Sequence, residues 1–291
     1  MFDLTGSDDF VILGDCLEVV PGLGRDTIDM AYVDPPFNTG GAQVRKTVRA
    51  TRVSDDSPGL AGFNGARHRR DEVGRMSWAD DFDDYLGFLM PRLAAIRDAL
   101  ADHGTLYVHV DPRESHYVKV ALDELFGREC FLNEVIWAYD FGGRPKRRWA
   151  PKHDVILVYV KDPDAYRFSF DDVDRVPYMA PNLVGKEKAA RGKLPTDVWW
   201  HTIVPTNSRE KTGYPTQKPV GVVRRAIAAS SRPGDLVLDC FAGSGTTAAA
   251  ARGLGRRFVV VDENPEAVAV MRERLGVEGT RFLDAGGYPL G

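Results

Sequence analysis

The chain has 291 residues, with 38 Lys and Arg set against 42 Asp and Glu, a formal net charge of −4 and a pI near 5.9. That length suits one large α/β domain, or one domain with a small appendage. The acidic balance excludes a protein coated in positive charge, so any hold on nucleic acid must come from local basic patches.

Phe10 to Leu13 reads as a short apolar strand that runs into Gly14-Asp15. Ile28 to Val33 is a second strand, stopped by Asp34-Pro35-Pro36-Phe37, because two prolines can continue neither a helix nor a ladder. From Gly40 to about Arg75 no period is sustained. Arg45, Lys46, Arg49, Arg52, Arg67, Arg69, Arg70 and Arg75 lie there among Gly, Ser and Asp, which predicts a long, mobile, basic loop. Leu86, Leu89, Met90, Leu93, Ile96 and Leu100 recur at helical spacing and predict a helix over Asp83 to Leu100. A strand at Thr105 to Val110, a helix at Ser115 to Phe126 and strands at Val135 to Tyr139 and Val155 to Val160 follow. The pattern weakens from Asp162 to Asn207, which reads as an irregular insertion. Regular grammar then returns. Helices are expected at Pro219 to Ser231, from Thr246 to Arg252 and at Pro265 to Leu275, and strands at Leu236 to Asp239 and Arg257 to Val261. Alternating strands and helices imply an α/β fold, a mostly parallel sheet covered on both faces.

Cys16, Cys130 and Cys240 are scattered and show no metal-ligand spacing, so no metal is expected and a reducing compartment fits. The first residues lack the basic-then-apolar order of a signal peptide. No apolar run approaches the roughly 20 residues that span a bilayer. The expectation is a cytoplasmic protein without a membrane partner.

Two motifs carry chemistry. In Asp239-Cys240-Phe241-Ala242-Gly243-Ser244-Gly245-Thr246-Thr247 a strand enters a small-residue turn and then a helix. Glycine lets backbone pass close to a ligand where a side chain would collide. The next strand ends in Asp262, and an acid at that place in nucleotide-binding α/β folds accepts hydrogen bonds from ribose hydroxyls. Neither a full GxGxxG nor a GKS or GKT ending is present, which favours a nucleoside without a polyphosphate, such as S-adenosylmethionine. The second motif is Asp34-Pro35-Pro36-Phe37. An amino group on adenine or cytosine is a poor nucleophile, because its lone pair is delocalised into the ring. A carboxylate from Asp34 and the carbonyl of Pro35, held extended by Pro36, can accept its two N–H bonds and favour the charge that develops on nitrogen. Phe37 offers a face for the base. A base must leave the duplex to reach such a pocket, at a cost of a few kcal/mol. Stacking worth about 1–3 kcal/mol offsets that cost. Alone, each motif also reads as an ordinary tight turn.

Taken together the motifs resemble those of the β class of amino-group DNA methyltransferases, in which the catalytic motif precedes the cofactor motif. The pieces are Gly14-Asp15-Cys16-Leu17-Glu18, Asp34-Pro35-Pro36-Phe37, Asn133-Glu134-Val135-Ile136-Trp137, Lys152-His153-Asp154-Val155-Ile156-Leu157, Gly213-Tyr214-Pro215-Thr216-Gln217-Lys218-Pro219 and the Asp239 to Thr247 turn, in the family's order along most of the chain. The resemblance implies a Rossmann-like methyltransferase fold with S-adenosylmethionine as cofactor. It also implies that Asp239, Phe241, Ala242, Gly243, Ser244, Gly245 and Thr246 surround the cofactor. Asp262 would hold its ribose, Asp15 beside Cys16 its adenine amino group, and Thr216, Gln217 and Lys218 its carboxylate end. The family more often has Glu where this chain has Asp262, whose reach is shorter.

On this reading residues 1–161 form the catalytic part of the methyltransferase domain, 162–207 a target-recognition insertion, and 208–291 the cofactor-binding part. Double-stranded DNA is the expected partner. Arg45 and Lys46 in the basic loop, and Arg144, Lys146, Arg147 and Arg148 between Phe141 and Trp149, suit phosphates and unstacked bases. Within the insertion, Arg167, Arg175, Asn182, Lys186, Lys188, Arg191 and Lys193 are candidates for base or phosphate contacts. Trp199, Trp200 and His201 read as packing at its base, and His153 as structural. Asp at the head of the catalytic motif favours adenine N6. Cytosine N4, an inactive DNA-binding relative, and an RNA or protein amide methyltransferase stay open, as do a homodimer and a cognate restriction endonuclease as partners.

Overall fold

A computed structural model of the chain describes residues 2–41, 43–52, 60–61, 67–78 and 80–291, with the backbone alone for 43–50, 52, 60–61, 67–68 and 70–78. They fall into two units, one of Met1–Pro35 with Asp84–Gly291 and one of Pro36–Asp83.

The larger unit begins with β1 (Asp9–Leu13), a one-turn α1 (Cys16–Val19) and β2 (Ile28–Val33). In the smaller unit β3 (Gln43–Arg52), β4 (Leu60–Ala61) and β5 (Arg67–Trp78) form an antiparallel sheet in the order β3-β5-β4. This corrects the loop expected over 40–75. Its charged residues mask any period-2 apolar alternation, yet the backbone groups pair across the ribbon from Gln43↔Trp78 to Arg52↔His68. At its base Gly40 N donates to Asp80 O at 3.1 Å, and Phe82 N donates to the Asn38 side chain at 3.0 Å.

The larger unit resumes with α2 (Tyr85–Ala99), capped by Asp84, whose carboxylate accepts from Gly87 N at 2.8 Å. After it come β6 (Leu100–Val110), α3 (Ser115–Phe126), β7 (Phe131–Ala138) and β8 (His153–Val160). The insertion holds α4 (Lys186–Arg191) and the short β9 (Val198–Trp200). Then follow α5 (Val220–Ser230), β10 (Leu236–Asp239), α6 (Thr246–Gly253), β11 (Arg257–Asp262), α7 (Pro265–Leu275) and β12 (Thr280–Asp284). The expected elements all form, within a few residues at their ends. The strand β6 starts five residues earlier than expected, at Leu100, and a bulge in its pairing with β2 absorbs the His103-Gly104 turn.

These strands form one sheet in the order β12-β1-β11-β10-β2-β6-β8-β7-β9. From β12 to β6 every pairing is parallel; β8 runs antiparallel to both β6 and β7. Central strands such as β11, with Phe258 to Val261 buried, read as continuous apolar runs because helices cover both faces. Alanines 248, 250 and 251 of α6 are buried, so that helix lies close to the sheet.

Candidate active and cofactor-binding site

Four neighbouring parallel strands, β1, β11, β10 and β2, end at one edge of the sheet. They deliver Asp15, Asp262, Asp239 and Asp34, which are spread over most of the chain, to that edge. Ligands of open α/β sheets lie at this carboxyl edge, where crossovers diverge.

The small-residue turn needs glycine for a local reason. Gly243 has φ of +50° and Gly245 +72°. A Cβ on Gly243 would stand 3.1 Å from the Tyr214 ring, and one on Gly245 would stand 2.7 Å from Met271 Cγ. Asp239 is buried inside the turn, where it accepts from Thr247 Oγ1 at 2.6 Å and Phe241 N at 2.9 Å. Burial pushes its carboxyl up to about 7 despite those bonds. Asp262 accepts from Gly243 N at 2.7 Å and Asn264 N at 2.9 Å, and burial raises it to about 6. Asp239 therefore shapes the turn, while Asp262 ties the turn to the end of β11.

The catalytic motif divides between the two units after Pro35. Asp34, at the end of β2, pairs with Lys218 Nζ through both oxygens, at 2.7 and 2.5 Å. The resemblance implied a place for Lys218 at the carboxylate end of the cofactor; in the structure its ammonium is held by the Asp34 carboxylate. Gln217 is likewise engaged within its own loop. Its carbonyl accepts from Thr212 N and Oγ1, each at 2.9 Å, and its amide donates to Glu210 O at 2.8 Å. Thr216 holds a left-handed φ of +57° and donates to Pro215 O. Asp15, expected to accept from the cofactor's adenine amino group, caps α1 at Leu17 N (2.7 Å) through one oxygen and pairs with Arg92 through the other. Cys16 is buried, as is Cys240.

Residues missed by the sequence reading complete the site. Arg92 of α2 lies over the Phe88 ring at 4.0 Å, and Phe88 faces Phe241 at 6.2 Å between centroids. Arg274 of α7 donates to Ser244 O at 3.0 Å and to Thr246 Oγ1 at 3.1 Å, bracing the turn from behind. Beside Asp34, fully buried His109 meets Tyr32 OH through Nδ1 at 2.9 Å and Asp154 through Nε2 at 3.0 Å. Asp154 also accepts from Tyr139 OH at 2.8 Å. The sequence signals for this network were a histidine within the apolar Thr105 to Val110 strand and Asp154 within the Lys152 to Leu157 piece.

On the outer rim, Phe141, Arg144, Lys146, Arg147, Arg148 and Trp149 are all exposed, Trp149 by 97%. Their loop springs from the β7–β8 hairpin, closed by Tyr139 N donating to Lys152 O at 2.9 Å, so it starts one residue beyond the Tyr139–Asp154 contact. Arg45 and Lys46 lie on β3, and their side chains are outside what the structure describes. In the insertion Arg167 is tied to Asp235 at 2.8 Å and Asp29 at 3.4 Å, a structural use rather than an open cation. Trp199 is buried under the Arg225 guanidinium, as expected of packing. Trp200 instead is 71% exposed, since neighbours on a strand face opposite sides.

These residues fit S-adenosylmethionine. Several carboxylates crowd one edge and suit a sulfonium cation better than a polyphosphate. Phe241 supplies an apolar face, and the glycines a close backbone approach. Among the described residues no cluster of His, Cys, Asp and Glu could hold a metal, and no helix is long and apolar enough to cross a membrane.

Fold and site define a nucleoside-dependent transferase of the α/β class. The chain belongs to the DNA methylase family of N6 and N4 amino methyltransferases, whose family model matches residues 28–273. It is an S-adenosylmethionine-dependent DNA methyltransferase. It is 29% identical over 275 residues to the type II methyltransferase M.HpaI of Haemophilus parainfluenzae, covering 94% of this chain and 76% of that one. It is 26% identical over 280 residues to the DNA adenine methyltransferase YhdJ of Escherichia coli, covering 92% and 82%. Its fold matches the cytosine-N4-specific PvuII DNA methyltransferase with a TM-score of 0.63 at 15% identity, over 91% of this chain and 86% of that one. It also matches TTHA0409 of Thermus thermophilus, a putative DNA modification methylase complexed with S-adenosylmethionine, with a TM-score of 0.59 at 19% identity over 95% and 98%.

Proposed function

We propose that the enzyme methylates N6 of adenine within one short sequence of double-stranded DNA, acting on a base turned out of the helix. The observation that carries this reading is Asp34 at the end of β2, ion-paired to Lys218 beside the glycine turn. Its carboxylate accepts one N–H of the amino group, and the Pro35 carbonyl accepts the other. Both contacts gain strength as nitrogen becomes positive in the transition state. When bound, the cofactor supplies an electrophilic methyl group on a sulfonium sulfur. Phe241, Gly243, Ser244, Gly245, Thr246 and Asp262 line its place, with Thr216 and Lys218 towards its amino-acid end. No side chain attacks carbon, so the cysteines are dispensable. Pro36 and Phe37 continue the motif, and Phe37 stacks on the base.

The exposed loop with Arg144, Lys146, Arg147 and Arg148 neutralises phosphates, as do Arg45 and Lys46. Residues 162–207 read the target sequence, 1–161 carry catalysis and 208–291 hold the cofactor. Adenine is supported by Asp at the head of the motif and by the adenine methyltransferase among the relatives. Cytosine N4 is the second reading, supported by the likeness in fold to the cytosine-N4 enzyme. The type II relatives support a place beside a cognate endonuclease, and pairing of two copies is the assembly to test by light scattering.

Single-molecule sequencing of plasmid from cells making the protein, with Asp34→Ala as control, tests the reading. Modified adenine in one motif, absent from the control, is the expected result. Modified cytosine transfers the mechanism to the second reading, and equal modification in the control removes Asp34 from the chemistry.

A further inference from the structure

Methyl transfer to an amino group leaves a proton to be placed. The new N–C bond forms with the nitrogen lone pair, the S–C bond breaks towards sulfur, and the ammonium-like nitrogen then gives up one proton. Asp34 is the first acceptor on the reading above. Lys218 already binds both Asp34 oxygens, so a proton arriving there displaces that ion pair unless it moves on. Facing Asp34 Oδ1 across 3.9 Å is Nδ1 of His109.

We propose that His109 is a positioning residue that takes this proton from Asp34 and restores the carboxylate. The inference rests on the catalytic role of Asp34. His109 has no exposed surface, so in the methyl-transfer step it exchanges protons with its neighbours, and it releases the proton back through Asp34 when product leaves. Its ring is fixed on both sides. Nε2 faces Asp154 Oδ2 at 3.0 Å, Nδ1 faces Tyr32 OH at 2.9 Å, and Trp137 abuts the ring edge-on at 5.5 Å between centroids. Burial opposes ionisation of Asp154, but the His109 bond, the Lys218 charge and the Tyr139 bond outweigh it and hold its carboxyl below the usual range. Asp154 is thus an anion at neutral pH, and His109 Nε2 carries the hydrogen that donates to it. Burial, with the charges of Asp34, Asp239 and Asp154, keeps the Tyr32 hydroxyl protonated, so it donates to Nδ1 in the resting state. Approach of Asp34 by about 1 Å brings its proton within hydrogen-bond reach of Nδ1, and the Tyr32 hydroxyl turns aside. The product is an imidazolium between two carboxylates, Asp34 and Asp154, with one proton moved and no net change of charge in the site.

Among the described residues, the titratable groups facing His109 include Tyr32 and Asp34 on the β2 side, Asp154 from β8 and, beyond them, Tyr139 and Lys218. Asp239 belongs to the same field: its charge helps to raise Tyr32, and Asp34 helps to raise it in turn. The test is therefore the single-turnover rate against pH at saturating cofactor and DNA, for the wild type, His109→Asn, Asp154→Asn and Asp34→Asn. His109→Asn keeps a polar group near Nδ1 but cannot take a proton. It should lose at least tenfold in rate, with cofactor and DNA affinities within threefold, and should lose the part of the acid limb that belongs to His109. Asp154→Asn removes the counter-charge and should move that limb to lower pH. If His109→Asn does not fold or bind cofactor, the Asp154→Asn limb decides alone. A His109→Asn rate within twofold of wild type, or an unmoved limb in Asp154→Asn, overturns the proposal. An active Asp34→Asn, whose amide oxygen still accepts the N–H bond but cannot take the proton, overturns the proposal as well, whereas a wild type that methylates no DNA overturns the function on which it rests.

Discussion

The Asp34–Lys218 pair links two sequence motifs separated by 184 positions, and each residue limits what the other can do. Lys218 is mostly buried, so removing it leaves a carboxylate at the reaction centre without its cation. Lys218→Met is expected to lower the single-turnover rate at least tenfold, and rapid-quench assays with labelled cofactor measure it. A rate within twofold would mean that the pair is only an ion pair of the resting enzyme. Cys16 makes the opposite case. It is buried near the cofactor motif, yet direct transfer requires no thiol. Cys16→Ser should keep turnover within about twofold while costing about 1 kcal/mol of stability for a buried hydroxyl. A Cys16→Ser enzyme that binds cofactor but no longer methylates would contradict the direct mechanism.

At the scale of elements, the turn between β10 and α6 is held by backbone shape and by braces from two other segments. Gly245 ends it in left-handed conformation against Met271 of α7, Arg274 of α7 donates into it, and Asp262 of β11 receives Gly243 N. Gly245→Ala has to displace Met271 as well as hold φ near +72°. It is expected to destabilise the protein by about 1–3 kcal/mol and to weaken cofactor binding, read by thermal melting and calorimetry. The smaller unit shows the limit of pattern reading at this scale. Residues 43–52 and 67–78 are rich in arginine and lack apolar alternation, yet they pair as a long antiparallel ribbon. Sequence periodicity reports burial of one face, and where side chains of both faces are polar it is silent.

For the molecule as a whole, several carboxylates at one sheet edge carry a cost that depends on pH. Asp239 and Asp262 have folded values of about 7 and about 6, above the unfolded 3.8. Between pH 4 and 7 the folded state therefore binds more protons than the unfolded one, and their contribution to stability falls as pH rises through that window. Asp239→Asn should flatten this fall, so the difference in melting temperature between variant and wild type moves in the variant's favour from pH 5 to pH 8. A constant difference would mean that Asp239 does not titrate there. The sequence by itself determined the central strands and helices of the larger unit, the glycine turn and the Asp-Pro-Pro-Phe stop after β2, because periodicity and turn residues are local properties; it did not show the two edge strands β12 and β9. Tertiary structure alone decided which groups meet. It set Lys218 on Asp34, spent Gln217 within its own loop, turned Asp15 to Arg92, and joined His109 to Asp154 across antiparallel β6 and β8. The two ion pairs and the His109–Asp154 hydrogen bond join residues 45 to 184 positions apart, and only tertiary folding of the sheet brings such residues within bonding distance.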